Sequence, residues 1–114
     1  NPDNALKLMK SRYSAYAFSK SEYIIKTTHP LSSHFQKDKN LWENEILRFS
    51  TETSFDALEI LSFDEDKEEA YVTFIAHLTQ DENDITFSEK SHFLLVEGQW
   101  LYVKGVISSA QDKT

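Results

Sequence analysis

The chain has 114 residues, the length of one domain, and carries 12 Lys and Arg against 19 Asp and Glu, a formal net charge of −7. This acidic balance argues against general nucleic-acid binding, and the lack of cysteine excludes disulfides, thiolate metal sites and cysteine nucleophiles. No apolar run is long enough to span a membrane. No signal peptide is visible, so we expect a cytoplasmic location, and the missing initiator methionine suggests a processed chain or an excised segment.

Apolar residues at helical spacing predict three helices in the first half of the chain. The first can be capped by Asn1 or Asp3. Its apolar stripe consists of Leu6, Met9, Tyr13 and Tyr16. The third helix begins near Asn40, and its apolar face consists of Trp42, Ile46 and Phe49.

The second helix has the clearest start signal. Ser19 and Glu22 match the spacing of a capping box, and Phe18 and Tyr23 match that of a hydrophobic staple. His29 precedes a proline, so it is expected to follow the end of this short helix and to bond a free carbonyl group there.

From residue 55 the apolar period changes to two, which predicts an antiparallel sheet. Four strands are expected, over 55–63, 70–79, 86–96 and 99–106. Gly98 supplies the positive φ that the last tight turn requires. Two acidic clusters, 64–69 and 81–84, are interpreted as solvated hairpin tips, with a site for a cation or basic partner as the alternative. Neither cluster fits an EF-hand loop.

Helices followed by an antiparallel meander indicate an α+β domain. The helices must cover one face of a sheet whose strands carry apolar residues on both sides, and a curved sheet wrapped around the first helix achieves this. Such curvature leaves a mouth where ligand cavities form. We expect residues 1–107 to form this single domain and residues 108–114 to form a polar tail.

The segment Leu8–Tyr16, LMKSRYSAY, resembles the start of the middle domain of YchJ-like proteins, a bacterial family. Further similar segments follow in the same order: Tyr23–Ile24, Thr28–Pro30, Trp42, Phe74–Ala76, Glu89–Phe93 and Gly98–Gly105. The resemblance spans residues 5–106. It implies a nuclear-transport-factor-2-like (NTF2-like) fold, a cone of three N-terminal helices packed on a curved antiparallel sheet of about four strands.

The same resemblance implies no reaction and therefore brings no catalytic residues. Members of the family usually carry cysteine-rich SEC-C zinc motifs beside this domain, and this sequence has none. Zinc binding is therefore not carried over, and we expect no cofactor.

Two charged residues are candidates for a site inside the cone. Arg12 lies beside the apolar stripe of the enclosed first helix. There its guanidinium can anchor a carboxylate or phosphate of a ligand, or it can instead form an internal salt bridge with Glu89. Glu89 and Ser91 share a strand face with Phe93. A carboxylate enclosed by apolar side chains can act as a general base, so Glu89 is the candidate catalytic residue. The alternative is a structural pairing with Arg12 or with tyrosine hydroxyls.

Aromatic residues make up most of the remaining candidate lining, and ordinary core packing is their alternative role. The expected pocket consists of Arg12, Tyr13, Tyr16, Trp42, Phe74, Glu89, Ser91, Phe93, Trp100 and Tyr102. No metal site is predicted from the four histidines, since zinc requires at least three protein ligands in one place. They are His29, His34, His77 and His92.

These observations favour a non-catalytic module that binds an unidentified small molecule or protein, with a homodimer formed through the sheet as a further expectation. Two alternatives stay open. The first is a cavity enzyme of lyase or isomerase type that uses Glu89 with Arg12 or Tyr13. The second is an accessory domain for SEC-C zinc motifs that this chain lacks. Neither general nucleic-acid binding nor membrane binding is expected.

Overall fold

The computed structural model describes residues 2–109, which form three helices and one antiparallel sheet. The helices are α1 (Ala5–Ala17), α2 (Ser21–Lys26) and α3 (Lys39–Glu52), and the strands are β1 (Ser54–Glu65), β2 (Glu69–Gln80), β3 (Asn83–Asp84), β4 (Phe87–Val96) and β5 (Gln99–Ser109). The sheet order is β1-β2-β4-β5, and the short β3 pairs with β2. The predicted α+β fold is confirmed, with one strand more than expected.

The two ends of the domain differ from the prediction. Asn4 caps α1, its Oδ1 accepting the Lys7 N–H at 2.8 Å, so Asp3 is not the cap. Asn1, the other expected cap, lies outside the described residues. At the other end Ser108 pairs with β4, so the strand continues into the predicted polar tail. Residues 110–114 of that tail lie outside the described residues.

The junction between α1 and α2 also differs from the prediction. Ser19 has a φ of 59° and donates its N–H to Tyr16 O at 3.3 Å, while Lys20 donates its N–H to Ala15 O at 2.7 Å. These two bonds form a Schellman motif, with Ser19 at the left-handed position that usually holds glycine. Because Ser19 terminates α1 it cannot cap α2, and the predicted capping box is wrong. Phe18 is 73% exposed, so the hydrophobic staple is wrong as well.

The inner face of the sheet buries every second residue of β2, as the period of two predicted. These residues pack against α1 and, with β4 and β5, form the first core cluster: Ala5, Leu8, Met9, Ala70, Val72, Phe74, Ala76, Leu78, Phe93, Trp100 and Tyr102. A second cluster joins the three helices: Ala15, Ile24, Trp42 and Ile46. A cavity lies between the two clusters and is lined by members of both.

Three irregularities interrupt the strand pairing. Two lie in β1, at 55–57 and 60–62, and one lies in β5, where Val103 is the extra residue between Tyr102 and Lys104. An extra residue in one strand bends it and increases the local twist. These positions therefore help the sheet to curve around α1.

The segment that follows α2 adds a short parallel pairing to the edge of β5. Thr28 pairs with Tyr102, whose C=O accepts the His29 N–H at 2.8 Å and whose N–H donates to Thr27 O at 2.9 Å. His29 is therefore a sheet-edge residue, and its predicted role of bonding a free carbonyl at the end of α2 is wrong. Its Nδ1 instead accepts the Leu31 N–H at 3.0 Å.

The two acidic clusters lie at strand connections and all their residues are exposed, as predicted for solvated hairpin tips. The first spans the turn between β1 and β2, and the second spans the turn after β2 together with β3. None of the helices within residues 2–109 has the length and apolar character needed to cross a membrane.

Candidate functional site

A cavity of about 630 Å³ lies between the helices and the inner face of the sheet. Its walls are mostly aromatic and aliphatic. The lining includes nine of the ten residues expected from the sequence: Arg12, Tyr13, Tyr16, Trp42, Phe74, Glu89, Ser91, Phe93 and Tyr102. The volume falls within the range of pockets that bind small organic molecules.

Trp100 does not line this cavity. It is buried in the first core cluster, on the same face of β5 as Tyr102. Strand alternation identifies the face on which a side chain lies but not the part of the strand that the cavity reaches. Conversely, the sequence analysis did not select several residues of the lining, among them Met9, Thr28, His34 and Phe49.

Glu89 is the buried acid of the cavity, with 8% of its surface exposed. Its Oε2 accepts hydrogen bonds from the hydroxyls of Ser91 and Tyr102, the second at 3.1 Å. Its Oε1 has no hydrogen-bond partner among residues 2–109, and it is not one of the fully enclosed unpartnered atoms. One carboxylate oxygen is thus held in place, and the other retains access to the cavity.

Gly105 makes room for this carboxylate. It pairs with Ser91 across the β4–β5 ladder, two residues from Glu89 on the same face. A β-carbon at position 105 would overlap Oε2 and Cδ of Glu89 and would lie 2.6 Å from its Cγ. An isolated glycine inside a strand often marks such a close approach, which is the signal by which the sequence could have indicated this position.

Arg12 is equally buried, and its guanidinium is anchored through one nitrogen. Nη1 donates to Thr27 Oγ1 at 2.7 Å and, at 3.2 Å each, to Thr28 Oγ1 and Ile24 O. The guanidinium carbon lies 4.7 Å from the centroid of the Tyr102 ring, which is a cation–π contact. Burial lowers the pKa of Arg12, but an arginine in this environment remains charged. Within residues 2–109, Nε and Nη2 have no hydrogen-bond partner.

Arg12 and Glu89 do not form the direct ion pair that the sequence analysis offered as an alternative to a ligand site. Tyr102 connects them instead, because its ring contacts Arg12 and its hydroxyl donates to Glu89. The alternative pairing of Glu89 with a tyrosine hydroxyl is the one observed. Each charged group therefore keeps atoms that are free to bind another molecule.

The three tyrosines of the cavity have different environments. Burial raises the pKa of Tyr102, and the nearby charge of Glu89 raises it further. Burial also raises the pKa of Tyr16, while Arg12 opposes and Glu89 adds to this effect. The Tyr16 hydroxyl has no partner among the described residues, whereas the Tyr13 hydroxyl donates to a backbone carbonyl of β1 at 3.0 Å. Tyr16, rather than Tyr13, is therefore the free hydroxyl near the two charges.

The histidines lie apart from one another. Across residues 2–109, no three His, Asp or Glu side chains are close enough together to hold a metal ion. His77 and His92 lie on the outer face of the sheet and contact Glu59 and Glu69, with Nε2–Oε1 distances of 2.7 Å in both pairs. His34 borders the cavity, its ring centroid 5.6 Å from that of Tyr102.

Three N-terminal helices and a curved sheet that enclose a cavity define an NTF2-like domain. The chain belongs to the YchJ family, since residues 4–105 match the family model of the middle NTF2-like domain of YchJ. The resemblance noted from the sequence is thereby confirmed. A UPF0225 protein of Yersinia pestis (strain Pestoides F) is 35% identical over 103 residues, which cover 87% of this chain and 64% of that protein. This chain spans 62–64% of the length of the curated relatives it matches.

Two solved structures share the fold and are SEC-C motif containing proteins. The one from Rhodopseudomonas palustris has a TM-score of 0.74 and 28% identity, covering 88% of this chain and 75% of that chain. The one from Psychrobacter arcticus has a TM-score of 0.71 and 27% identity, covering 96% of this chain and 64% of that chain. The names of these proteins specify no reaction.

Proposed function

We propose that this domain binds a small, largely apolar organic molecule in its cavity without transforming it. The observation that carries the proposal is a set of polar atoms at that cavity that have no hydrogen-bond partner in the described part of the chain: Oε1 of Glu89 and Nε and Nη2 of Arg12. These three atoms are not fully enclosed by protein, so they can bond a molecule that enters the cavity. A ligand that supplies the missing partners would therefore be stabilised at this position.

The site is also rigid, which favours binding. Glu89 is held by two hydroxyls and by the space above Gly105, and Arg12 is held by two threonines and a backbone carbonyl. Groups that are fixed before binding lose little conformational entropy when the ligand arrives. The apolar walls then supply favourable free energy as they lose contact with water.

A fragment-binding experiment with a cavity-narrowing variant tests this proposal. Ala76 is buried and lines the cavity, so Ala76→Leu places extra carbon atoms inside it, whereas Ala57→Leu adds the same group at an exposed position of β1. We expect aromatic fragments to shift the indole N–H signal of Trp42, a lining residue, in wild type and in Ala57→Leu, and to bind Ala76→Leu more weakly. Failure of all fragments to bind, or equal binding to both folded variants, would contradict the proposal.

A second function, a cavity enzyme of lyase or isomerase type, is favoured by the lack of a direct ion pair on Glu89. The free Oε1 would remove a proton from a carbon next to a carbonyl group of the substrate. The electron pair of that C–H bond would move toward the carbonyl oxygen, where Arg12 and the Tyr16 hydroxyl would stabilise the negative charge.

Deuterium exchange separates this enzyme from a binding module. In D₂O, wild type would introduce deuterium into a bound carbonyl compound, and Glu89→Gln would not. Binding without exchange would support the module and exclude proton abstraction from the compounds tried.

A third proposal is that the domain assists SEC-C zinc motifs carried by the rest of a longer protein. It is supported by the names of the two similar structures and by the share of its relatives that this chain spans. If the domain acts in this way, it should bind a separately produced, zinc-loaded SEC-C segment of a relative in calorimetry. A lack of binding to that segment would count against this role.

We further propose that two copies associate through the outer face of the sheet, which carries the half-buried Ile75 and the exposed Val106. Light scattering would measure the mass, and Val106→Lys should shift a dimer toward the monomer. The cytoplasmic location stays a prediction, which fractionation of cells that produce the protein would check.

A further inference from the structure

We propose that the ligand is uncharged and offers a hydrogen-bond donor next to an acceptor on a flat apolar body, as a carboxamide or cyclic amide does. This inference rests on the proposed binding function and specifies the chemical class of the ligand. Three properties of the cavity support it, namely its charge balance, its hydrogen-bonding groups and its walls.

The two buried charges of the cavity cancel. Arg12 and Glu89 carry opposite formal charges, and each is 8% exposed. The other acid of the lining, Glu45, lies at the exposed rim, where its Oε1 accepts the Gln36 side-chain N–H at 2.7 Å. A charged ligand would leave one buried charge in excess, which is unfavourable away from water. A neutral ligand keeps the balance.

The free atoms of the site also require both a donor and an acceptor from the ligand. A carboxylate oxygen such as Glu89 Oε1 only accepts, and the guanidinium nitrogens of Arg12 only donate. The Tyr16 hydroxyl can do either. A carboxylate offers only acceptors and an ammonium group only donors, so each would leave one partner unsatisfied. A carboxamide offers N–H to Glu89 and C=O to Arg12 together.

The walls fit a flat ring. Phe74 and Phe87 both line the cavity in an edge-to-face pair, with ring centroids 6.2 Å apart and an interplanar angle of 69°. Trp42 and Phe49 line it from α3. Aromatic walls bind aromatic ligands in offset or edge-to-face contacts, which adds to the free energy of apolar burial.

Three probes of similar size test the ligand class: naphthamide, naphthoate and naphthylmethylammonium. Their dissociation constants for the full chain can be measured at neutral pH by chemical-shift titration. We expect naphthamide to bind at least about tenfold more tightly than either charged probe, a difference of about 1.4 kcal/mol. The three probes share the ring, so the difference reports the polar group alone.

A charge-removing variant sharpens the test. Among residues 2–109, Glu89→Gln leaves Arg12 as the only buried charge of the cavity, so naphthoate should become the preferred probe. Glu59→Gln removes the same charge from the outer face. This variant should rank the three probes by affinity as wild type does. The ¹H–¹⁵N spectrum of each variant verifies that it is folded.

The outcomes separate the two proposals. If wild type binds a charged probe as well as or better than naphthamide, the ligand class is overturned while the binding function stands. If Glu89→Gln is folded and keeps the wild-type order, the charge balance does not select the ligand and the inference is likewise overturned. If none of the three probes binds to wild type, both proposals fail.

Discussion

The two faces of the sheet hold their carboxylates in opposite ways. On the inner face, Glu89 is 8% exposed and bonds two hydroxyls, and one of its oxygens has no partner within residues 2–109. On the outer face, the side chains of Glu59 and Glu69 are 56% and 47% exposed, and each contacts a histidine at 2.7 Å. Solvent reaches both of these outer carboxylates. Burial combined with incomplete hydrogen bonding, rather than the number of acids, therefore marks the functional candidate.

The largest expected difference between the faces is in stability. Phe93 and Leu94 are neighbours on β4, but Phe93 is 1% exposed on the inner face and Leu94 is half-buried on the outer face. Phe93→Ala should lower the free energy of unfolding by about 3–5 kcal/mol, because it removes a large buried side chain and leaves a void. Leu94→Ala should cost less than about 1.5 kcal/mol, because less apolar surface is lost. Urea unfolding measures both, and equal losses would contradict the assignment of the faces.

The second prediction concerns Gly105, whose missing β-carbon leaves room for the Glu89 side chain. Gly105→Ala should lower the free energy of unfolding by about 1–3 kcal/mol, because the new methyl group overlaps the Glu89 side chain. It should also abolish probe binding by displacing the carboxylate.

A double-mutant cycle with Glu89→Ala identifies the cause of this cost. If the overlap with Glu89 is responsible, Gly105→Ala should cost much less when Glu89 is already truncated. If Gly105→Ala lowers the free energy of unfolding equally in both backgrounds, the cause is strain in the backbone instead.

The third prediction uses the raised pKa of Tyr102. Tyr102→Phe removes a hydrogen bond to a carboxylate and should cost about 1.5 kcal/mol at neutral pH. In the unfolded chain this tyrosine loses its proton near its ordinary pKa of 10.0, while the folded chain keeps the proton to higher pH. The folded state then binds the extra proton, so the free energy of unfolding falls as pH rises above that value.

The slope contributed by this residue reaches about 1.4 kcal/mol per pH unit. Unfolding measured between neutral and strongly alkaline pH should show a shallower decline for Tyr102→Phe than for wild type. Tyr13 and Tyr16 have pKa values raised in the same direction, so part of the decline should remain in the variant. Parallel curves for the two proteins would refute the linkage.

The smallest effects are expected on the outer face. Glu59→Gln and Glu69→Gln each remove one exposed partner of a histidine, and such surface pairs contribute less than about 1 kcal/mol. Their unfolding midpoints should lie close to that of wild type, and added salt should reduce any difference. A loss as large as that of Phe93→Ala would show that the outer carboxylates are structural after all.

Most of the fold could be predicted because the strong signals in this sequence are periodic. The alternation in β2 placed Phe74 on the inner face, and the stripe of α1 placed Met9 against the sheet. Periodicity states which residues share a face but not how far along a strand an open space extends. For that reason Trp100 was assigned to the pocket although it fills the core.

The errors arose where two elements compete for one residue. Ser19 fits a cap for α2, but the same residue terminates α1, and the backbone bonds of that ending prevail. Similarly, opposite charge suggested a pair between Arg12 and Glu89, whereas Thr27 and Thr28 supply nearer acceptors for the guanidinium. Contacts between side chains from different elements depend on tertiary geometry, which no local pattern of the sequence contains.

The parallel pairing of Thr28 with the edge of β5 has a consequence for how such domains diversify. The backbone fastens this side of the cavity to the sheet and, through Thr27 and Thr28, fixes Arg12. The wall formed by α3 depends instead on side-chain packing in the second core cluster. Substitutions in α3 can therefore change the shape of the cavity while the backbone pairing of Thr28 and the threonine contacts of Arg12 stay in place. Under the proposed binding function, we expect relatives that bind different ligands to differ mainly in α3.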